Sequence, residues 1–442
     1  MQNYPQSLPF DPADPKAALN QLPNSAAVFA LYAAEAHAEP YIGRTPNLRA
    51  RLERLLQPSP KHPRRLQLAG RVRRIEWHAT GSEFESLLTQ FSLLERVYGA
   101  KALERMHLKA PAFVRFLGGN PYPRVTVTHR PSQREADWAY GPFHSRAAAE
   151  RYVDEALKLF LLRRCTDDLD PNPAHPGCVY SEMKMCLAPC YQGCTDERYA
   201  QESSAVERFL ATRGESRLVT LRNERDQASA SLEFEAAAAI HAQVQRVESV
   251  RALVPELVRP MSQLRAFILQ PSAASDEVAV FLFDQGHLSG PHGFSTLGMR
   301  IQNEQSGSSS LFAQPMALEP MLEAPEVVIQ APEPTQSSAA AGDSEDLASN
   351  ERASKIAARG ARTLLESRLD DVLAAHSAPD EAVSPTVCQA HLALLKRWYY
   401  RPEARRAGEI FFPDREGHWP QKAILRGIGR VAAKGFAGQN RA

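Results

Sequence analysis

Five of the six cysteines lie in one stretch, RRCTDDLDPNPAHPGCVYSEMKMCLAPCYQGC, which spans residues 163–194. Cys165, Cys178, Cys186 and Cys190 are separated by 13, 8 and 4 positions, and Cys194 follows four positions later. Thiolates gathered this closely suit a soft metal ion or an iron–sulfur cluster. A disulfide framework is the alternative, and it requires an oxidising compartment that nothing else in the sequence indicates. The stretch therefore predicts a zinc- or cluster-binding loop.

Length and composition describe an ordinary globular chain of several domains. Its 442 residues suffice for two to four domains, and 43% of them are hydrophobic. The net charge of +1 gives no overall attraction to nucleic acid, so any such binding must come from local patches. The first residues lack the pattern of a secretory signal, and no run of 18 apolar residues occurs. We expect a cytoplasmic protein with no membrane partner.

The region from residue 23 to residue 105 alternates short strands with helices. Residues 27–32 form an apolar run, and residues 40–43, Pro-Tyr-Ile-Gly, read as the returning strand of a hairpin. A helix with leucines on one face follows. After a third strand at residues 71–77, Ser82 and Glu85 have the spacing of a capping box, so we expect a helix over residues 83–104.

The cysteine spacing resembles that of the bacterial UvrC excinuclease family and its shorter homologue Cho. In that family the pattern Arg-x-Cys, Cys, Cys-x-x-Pro-Cys holds a [4Fe–4S] cluster. The resemblance implies that the cluster ligands are Cys165, Cys178, Cys186 and Cys190. Zinc remains the alternative, because four thiolates also form structural zinc sites. Cys194 is either a spare thiol or a competing fourth ligand.

The run YIGRTPNLRARL, residues 41–52, resembles the GIY-YIG nuclease domain in its UvrC version. By that resemblance Tyr41 lies at the active centre, and Arg44 and Arg51 bind phosphate. Phosphodiester hydrolysis needs a base near the attacking water, cations on the developing charge and a divalent metal ion. The resemblance thus implies a DNA endonuclease that uses Mg²⁺ or Mn²⁺.

Two positions depart from the family pattern. The first motif ends in Phe29 where the family has a tyrosine, and the position of the metal-binding glutamate is Gln90. A neutral amide is a poor ligand for Mg²⁺, which prefers carboxylates and water. The helical neighbours of Gln90 at three and four residues are not acidic. Whether the site cleaves DNA therefore stays open at the level of sequence.

Residues 215–253 form a long helical pattern that contains the segment LEFEAAAAI, residues 232–240. This segment resembles the UVR motif, a helical hairpin that pairs with the equivalent hairpin of UvrB. A two-helix hairpin cannot bury its apolar face alone, which favours a partner. The residues that the resemblance assigns to this contact are Leu232, Phe234, Glu235, Ala237 and Ala238.

The last third of the chain contains strands at residues 264–269 and 278–283, then a Ser-, Ala- and Pro-rich segment at residues 303–350 that is typical of a disordered linker. The remaining residues, 351–442, predict helices, one strand and many cations around Trp398. These cations and aromatic residues could track a nucleic-acid backbone. The alternative is a small folded cap whose aromatic residues form its core.

The predicted fold class is α+β and modular. The segments are a tail (1–22), a GIY-YIG-like α/β domain (23–105), a cysteine-cluster region (106–214), a UVR-like helical hairpin (215–253), a β-meander (260–300), the linker (303–350) and a basic α-rich module (351–442). By resemblance the chain incises damaged double-stranded DNA in nucleotide excision repair, together with UvrB. The alternative is a non-catalytic cluster protein that binds DNA or UvrB and whose nuclease site has decayed.

Overall fold

The computed structural model describes residues 6–35, 37–57, 68, 70–297, 363–374, 384–414 and 416–439. These residues form three four-stranded antiparallel sheets with helices packed around them. The α+β class predicted from the sequence is therefore confirmed. The predicted linker at residues 303–350 lies outside the described residues.

The first sheet, which is the centre of what we call the first domain, has the strand order β1-β4-β2-β3. Its strands are β1 (Gln6–Pro9), β2 (Ala27–Ala33), β3 (Tyr41–Thr45) and β4 (Val72–Ala79). Two helices accompany them, α1 (Pro15–Leu19) and α2 (Leu48–Leu56). The sequence predicted a tail before residue 23. Residues 6–22 instead supply an edge strand paired with β4 and bury Phe10, Leu19 and Leu22 in the domain core.

The helix after this sheet is interrupted. Helix α3 (Glu83–Tyr98) begins at Ser82, whose hydroxyl accepts a hydrogen bond from the N–H of Glu85 at 3.1 Å. It ends at Gly99, whose φ of +54° is left-handed and favours glycine. A separate short helix, α4 (Ala102–Arg105), follows. The single helix predicted to reach residue 104 is therefore two helices with a change of direction between them.

The second sheet has the order β6-β5-β7-β8, and together with five helices it forms what we call the second domain. Its strands are β5 (Ala112–Phe116), β6 (Val125–Thr128), β7 (Ala139–Phe143) and β8 (Arg259–Pro260). The helices are α5 (Arg146–Leu157), α6 (Val179–Glu182), α7 (Asp196–Ala211), α8 (Glu215–Ala230) and α9 (Phe234–Arg251). Val244, Val247 and Val250 of α9 pack in the same core as α5 and α7, which anchors the base of the α8–α9 hairpin.

The third sheet combines two regions that the sequence assigned to separate modules. Its order is β11-β10-β9-β12, with β9 (Ala266–Pro271), β10 (Glu277–Asp284), β11 (His287–Ser295) and β12 (Glu409–Phe411). Strand β12 pairs antiparallel with β9, with Ile410 opposite Ile268. The β-meander and the C-terminal module are thus one structural unit, because strands that are far apart in the sequence pair in the same sheet.

Three helices complete this unit: α10 over residues 363–374, α11 (Pro385–Tyr399) and α12 (Gln421–Gln439). Helix α11 contacts all three sheet regions. Its Trp398 is 3% exposed and packs on Phe84 of α3, with ring centroids 5.3 Å apart. Lys396 Nζ donates to the carbonyl of Lys109 at 3.1 Å, and the hydroxyl of Tyr400 just after α11 donates to that of Pro142 at 2.9 Å.

Candidate functional sites

A cavity of about 480 Å³ opens at the edge of the first sheet, beside β3. Tyr41 lines it from the strand and Gln90 lines it from α3, so the structure brings these two predicted site residues together. Glu104, Arg105 and His107 line the same cavity from α4 and the turn that follows it. The cavity therefore combines a phenol, an amide, a carboxylate, a guanidinium and an imidazole.

The tyrosine of the Tyr-Ile-Gly motif has a defined packing environment. The Tyr41 ring lies 6.1 Å from the ring of Phe29, which is 1% exposed. A Cβ on Gly43 would come within 2.8 Å of the Phe29 ring, so this position requires glycine for the strands to stay paired. Phe29 thus fills with apolar surface the position where the family pattern has a second hydroxyl.

Glu104 and His107 are cavity residues that the sequence argument missed. On a continuous helix Glu104 would lie 14 residues beyond Gln90, about 21 Å along the axis. The break at Gly99 redirects the chain and returns Glu104 to the cavity. The glycine was the available signal, because a helix commonly ends at a left-handed glycine.

The two predicted phosphate-binding arginines lie elsewhere. Arg44 pairs with Glu83 at 3.3 Å, and Arg51 lies partly exposed on α2. The structure describes both residues, and neither of them lines the cavity. The cation that does line it is Arg105, whose guanidinium lies 3.6 Å from the centroid of the Tyr98 ring and pairs with Glu39 at 3.0 Å.

Glu83 is the centre of a charged cluster between the first domain and the C-terminal unit. Both guanidinium nitrogens of Arg401 bind its carboxylate, and Arg44 binds it from the sheet. These hydrogen bonds, with the nearby charges of Arg401, Arg44 and Arg397, hold the pKa of Glu83 below its ordinary value of 4.5.

The four predicted cluster ligands all carry free thiols. Cys178 precedes α6, and Cys190 lies in a 3-10 turn, residues Pro189–Tyr191, flanked by the left-handed residues Ala188 and Gln192. The N–H of Ala188 donates to Cys186 Sγ at 3.1 Å. An amide aimed at a sulfur is a feature that tunes thiolate-bound metal centres.

The thiols of this loop influence one another electrostatically. Burial raises the pKa of the Cys186 thiol, and the sulfurs of Cys178, Cys190 and Cys165 raise it further. Burial also raises the pKa of Cys190, again with contributions from Cys178 and Cys165. These raised pKa values favour the protonated thiols of Cys186 and Cys190, so a metal ion or cluster that bound here would have to displace their protons.

Cys194 has a different environment. Burial raises the pKa of its thiol, while the charges that act on it are those of Arg198 and Asp196 rather than the other sulfurs. Across the described residues, no three His, Cys, Asp or Glu side chains already stand in a metal-binding arrangement. Binding would therefore require the four sulfurs to move closer together.

Arg163 and Arg164 precede the cysteines, where two adjacent cations could meet phosphates. Arg163 is only 3% exposed, and its guanidinium donates to the carbonyls of Tyr122 and Asp167. Arg164 donates to the carbonyl of Leu157 at 2.8 Å. Both guanidinium groups thus hold the loop against the second domain.

The tip of the α8–α9 hairpin exposes apolar side chains. Leu232 is 71% exposed and Phe234 is 66% exposed, and Glu235 and Ala238 also face solvent, with Ala237 partly buried. Leu232 adopts a left-handed φ of +61° in the turn between the helices. Exposed aromatic and aliphatic groups clustered at a turn are typical of a protein interaction site.

The aromatic residues near Trp398 act as core rather than as an exposed stacking surface. Trp398 is buried against α3, and the guanidinium of Arg406 lies 5.6 Å from its ring centroid. Of the two interpretations drawn from the sequence, the structure favours the folded cap at this point. No helix within the described residues is both long enough and apolar enough to cross a membrane.

Comparison with known proteins finds a similarity in the middle of the chain. Residues 113–209 match the family "UvrC/Cho excinuclease, middle domain", and this segment contains all four predicted cluster ligands. We found no solved structure that matches the chain. Curated proteins that match it carry the name UvrABC system protein C.

Three of these relatives show the extent of the similarity. The protein from Alcanivorax borkumensis is 30% identical over 211 residues, 48% of this chain and 34% of the relative. Those from Aliivibrio fischeri and Shigella dysenteriae are 27% and 28% identical over 54% of this chain, covering 39% and 41% of their own lengths. The chain thus spans well under half the length of these relatives. In the region that they share, the chain is similar to the UvrC/Cho proteins, the family that the cysteine spacing resembles.

Proposed function

We propose that this protein acts in nucleotide excision repair, on damaged double-stranded DNA and together with UvrB. The observation that carries this proposal is the match of residues 113–209 to the UvrC/Cho middle domain, with the four-cysteine loop inside it. The relatives' name, UvrABC system protein C, supports the same process. The proposals for the incision reaction, the partner and the cofactor are each supported by a different set of residues.

In the first candidate function the chain hydrolyses a phosphodiester bond at the β3 cavity. The Tyr41 hydroxyl orients the attacking water, Glu104 or His107 accepts the proton that this water loses, and Arg105 opposes the charge that develops on the phosphate. Arg44 and Arg51, which the family resemblance assigns to phosphate binding, would contact the strand outside the cavity. Glu104 and His107 are the groups in the cavity that can accept and return a proton.

The second candidate is a non-catalytic protein that binds DNA or UvrB. Gln90 favours it, because the donors that this cavity offers a Mg²⁺ or Mn²⁺ ion are one exposed carboxylate, Glu104, and neutral oxygens. Mg²⁺ prefers carboxylates and dehydrates reluctantly, so this set fits the ion poorly. Arg44 is also engaged by Glu83 rather than free to meet a phosphate.

For the cofactor we propose a [4Fe–4S] cluster, with zinc as the alternative. Cys165, Cys178, Cys186 and Cys190 would hold it, and its role would be to fix the loop between α5 and α7. Arg163, which donates to Cys165 Sγ at 3.6 Å, would balance part of the thiolate charge.

For the partner we propose that the hairpin tip binds the matching hairpin of UvrB. The contact would bury Leu232 and Phe234, with Glu235 at its rim and Ala237 and Ala238 permitting close helix approach. The base of the hairpin is already held in the core of the second domain by Val244 and Val247, so the tip is presented on a fixed support.

A nicking assay separates the two candidates. UvrB-loaded damaged plasmid would be incubated with wild type and Tyr41→Phe in Mg²⁺ or Mn²⁺, and UvrB capture would be measured in parallel. Nicking that depends on Tyr41 supports the nuclease. UvrB capture without nicking supports the non-catalytic protein. If wild type neither nicks the plasmid nor captures UvrB, the proposed function is contradicted.

A further inference from the structure

Helix α12 carries a row of cations on the face opposite its buried side. Ile424, Ile428 and Val431 are at most 3% exposed and pack on Phe267 and Leu269 of β9. The exposed side carries a basic residue at every fourth position, namely Lys422, Arg426, Arg430 and Lys434. We call these four residues the α12 basic row.

The geometry of a helix aligns these side chains. Residues four apart are neighbours on one face, and twelve residues rise about 18 Å along the axis. The α12 basic row is therefore an inclined stripe of positive charge that rises about 18 Å and turns about 120° around the helix. A strand of duplex DNA advances about 3.4 Å along the helix axis per phosphate, so the row covers about five phosphates.

Within the part of the chain that the structure describes, most of this charge has no acidic partner. Arg430 pairs with Glu409 at 2.6 Å. Lys422, Arg426 and Lys434 have no acidic partner among the described residues, and α12 itself contains no Asp or Glu. The chain as a whole has a net charge of only +1, so the row is a local concentration rather than a consequence of composition.

Folding accounts for Arg430, which pairs with Glu409 of β12, but it does not account for the other three cations. Like charges four residues apart on a helix repel one another. Lys422 also lies in the first turn, where the positive end of the helix dipole disfavours a cation. The buried face needs only its apolar residues to pack on β9. A ligand with regularly spaced negative charges would be attracted to these cations and would offset the repulsion between them.

We propose that the α12 basic row binds the phosphate backbone of duplex DNA, an inference that rests on the proposed DNA-repair function. Single-strand binding surfaces stack bases on aromatic side chains. Residues 421–434 of α12 contain no aromatic side chain, so the row suits a duplex backbone. Backbone contacts of this kind position a protein on DNA without reading sequence.

The test compares two triple variants of the full-length chain on a labelled duplex of undamaged DNA, by fluorescence anisotropy over a series of salt concentrations. One variant is Lys422→Gln, Arg426→Gln and Lys434→Gln, which retains polar side chains on the same face. The control is Arg146→Gln, Lys158→Gln and Arg198→Gln, which removes equal charge from exposed cations that already pair with Glu150, Glu155 and Glu202.

The row variant should bind about tenfold more weakly at low salt, and its slope of log affinity against log salt should be shallower by about 2 to 3. The control should keep the wild-type slope. Equal slopes for row variant and wild type, or an equal loss in the control, would overturn the assignment, as would tighter binding of wild type to single strands. UvrB capture and nicking by wild type are measured in separate assays, so failure of the row assignment can be told apart from failure of the proposed function.

Discussion

Arg401 and Glu83 lie 318 positions apart in the sequence, and both guanidinium nitrogens of Arg401 donate to the two carboxylate oxygens of Glu83, at 2.6 and 2.7 Å. The pair joins α3 to the segment that follows α11. Glu83 also accepts a hydrogen bond from Arg44. The carboxylate of Glu83 therefore connects Arg44, in the candidate nuclease domain, to Arg401 in the C-terminal unit.

Arg401→Ala should lower stability slightly. The Glu83 side chain is 40% exposed, so the pair is worth about 0.2–1 kcal/mol. Because the folded-state pKa of Glu83 is lowered, its contribution is present above 4.5 and is lost as pH falls through the lower folded value. Urea unfolding of wild type and variant should therefore differ at neutral pH and converge in acid. Arg405→Ala, an exposed neighbour, should show no such difference.

Phe84→Ala should cost about 3–5 kcal/mol of stability, because it removes a buried ring that contacts two others. Phe84 is 2% exposed and packs edge-on against Phe281 at 5.1 Å as well as on Trp398. Val97→Ala on the solvent-facing side of the same helix, 38% exposed, should change stability by under about 0.5 kcal/mol. If chemical denaturation showed similar losses in the free energy of unfolding for both variants, Phe84 would not belong to a core shared by α3, β10 and α11.

Phe234→Ala should leave stability nearly unchanged and weaken UvrB capture by about 2 kcal/mol or more, the typical loss for an aromatic anchor at an interface. Leu297→Ala is the matched control, since Leu297 is also 66% exposed but lies at the end of the third sheet. Pull-down of UvrB by purified wild type and both variants measures the effect. If Phe234→Ala captured UvrB as well as wild type does, the hairpin tip would not be the contact with UvrB.

Protein purified without oxygen should be brown, absorb broadly near about 400 nm and contain about four irons per chain. Cys186→Ala should lose the colour, because it removes one of the four predicted ligands, a sulfur that accepts a hydrogen bond from the N–H of Ala188. Cys194→Ala should keep it, because Cys194 is not one of the four predicted ligands. Iron and zinc analysis of the three proteins decides between the metals, and a colourless wild type with one zinc would exclude the cluster.

Gln90→Glu should strengthen Mn²⁺ or Mg²⁺ binding and raise nicking, because it adds a carboxylate to a cavity that already contains Glu104. Glu104→Gln in that background should remove the gain. Metal titration by calorimetry gives a readout independent of cleavage. Strong metal-dependent nicking by wild type that is lost in Tyr41→Phe and unaffected by Gln90→Ala would show that the metal position is wrongly placed at Gln90.

The sequence by itself determined the features that depend on local spacing. The cysteine intervals led to the UvrC/Cho relationship that the match over residues 113–209 supports. Ser82 and Glu85 predicted where α3 begins, because a capping hydroxyl needs only the N–H three residues ahead. The composition and the alternating strand patterns were sufficient for the α+β class.

The tertiary structure alone decided how distant segments combine. Nothing in the local pattern of residues 409–411 specifies β9 as their partner, since pairing depends on which sheet edge and apolar surface are available. The same holds for β1 on β4, for Glu104 in the Tyr41 cavity and for Arg401 on Glu83. Each contact follows from the positions of packed elements, which local periodicity does not encode.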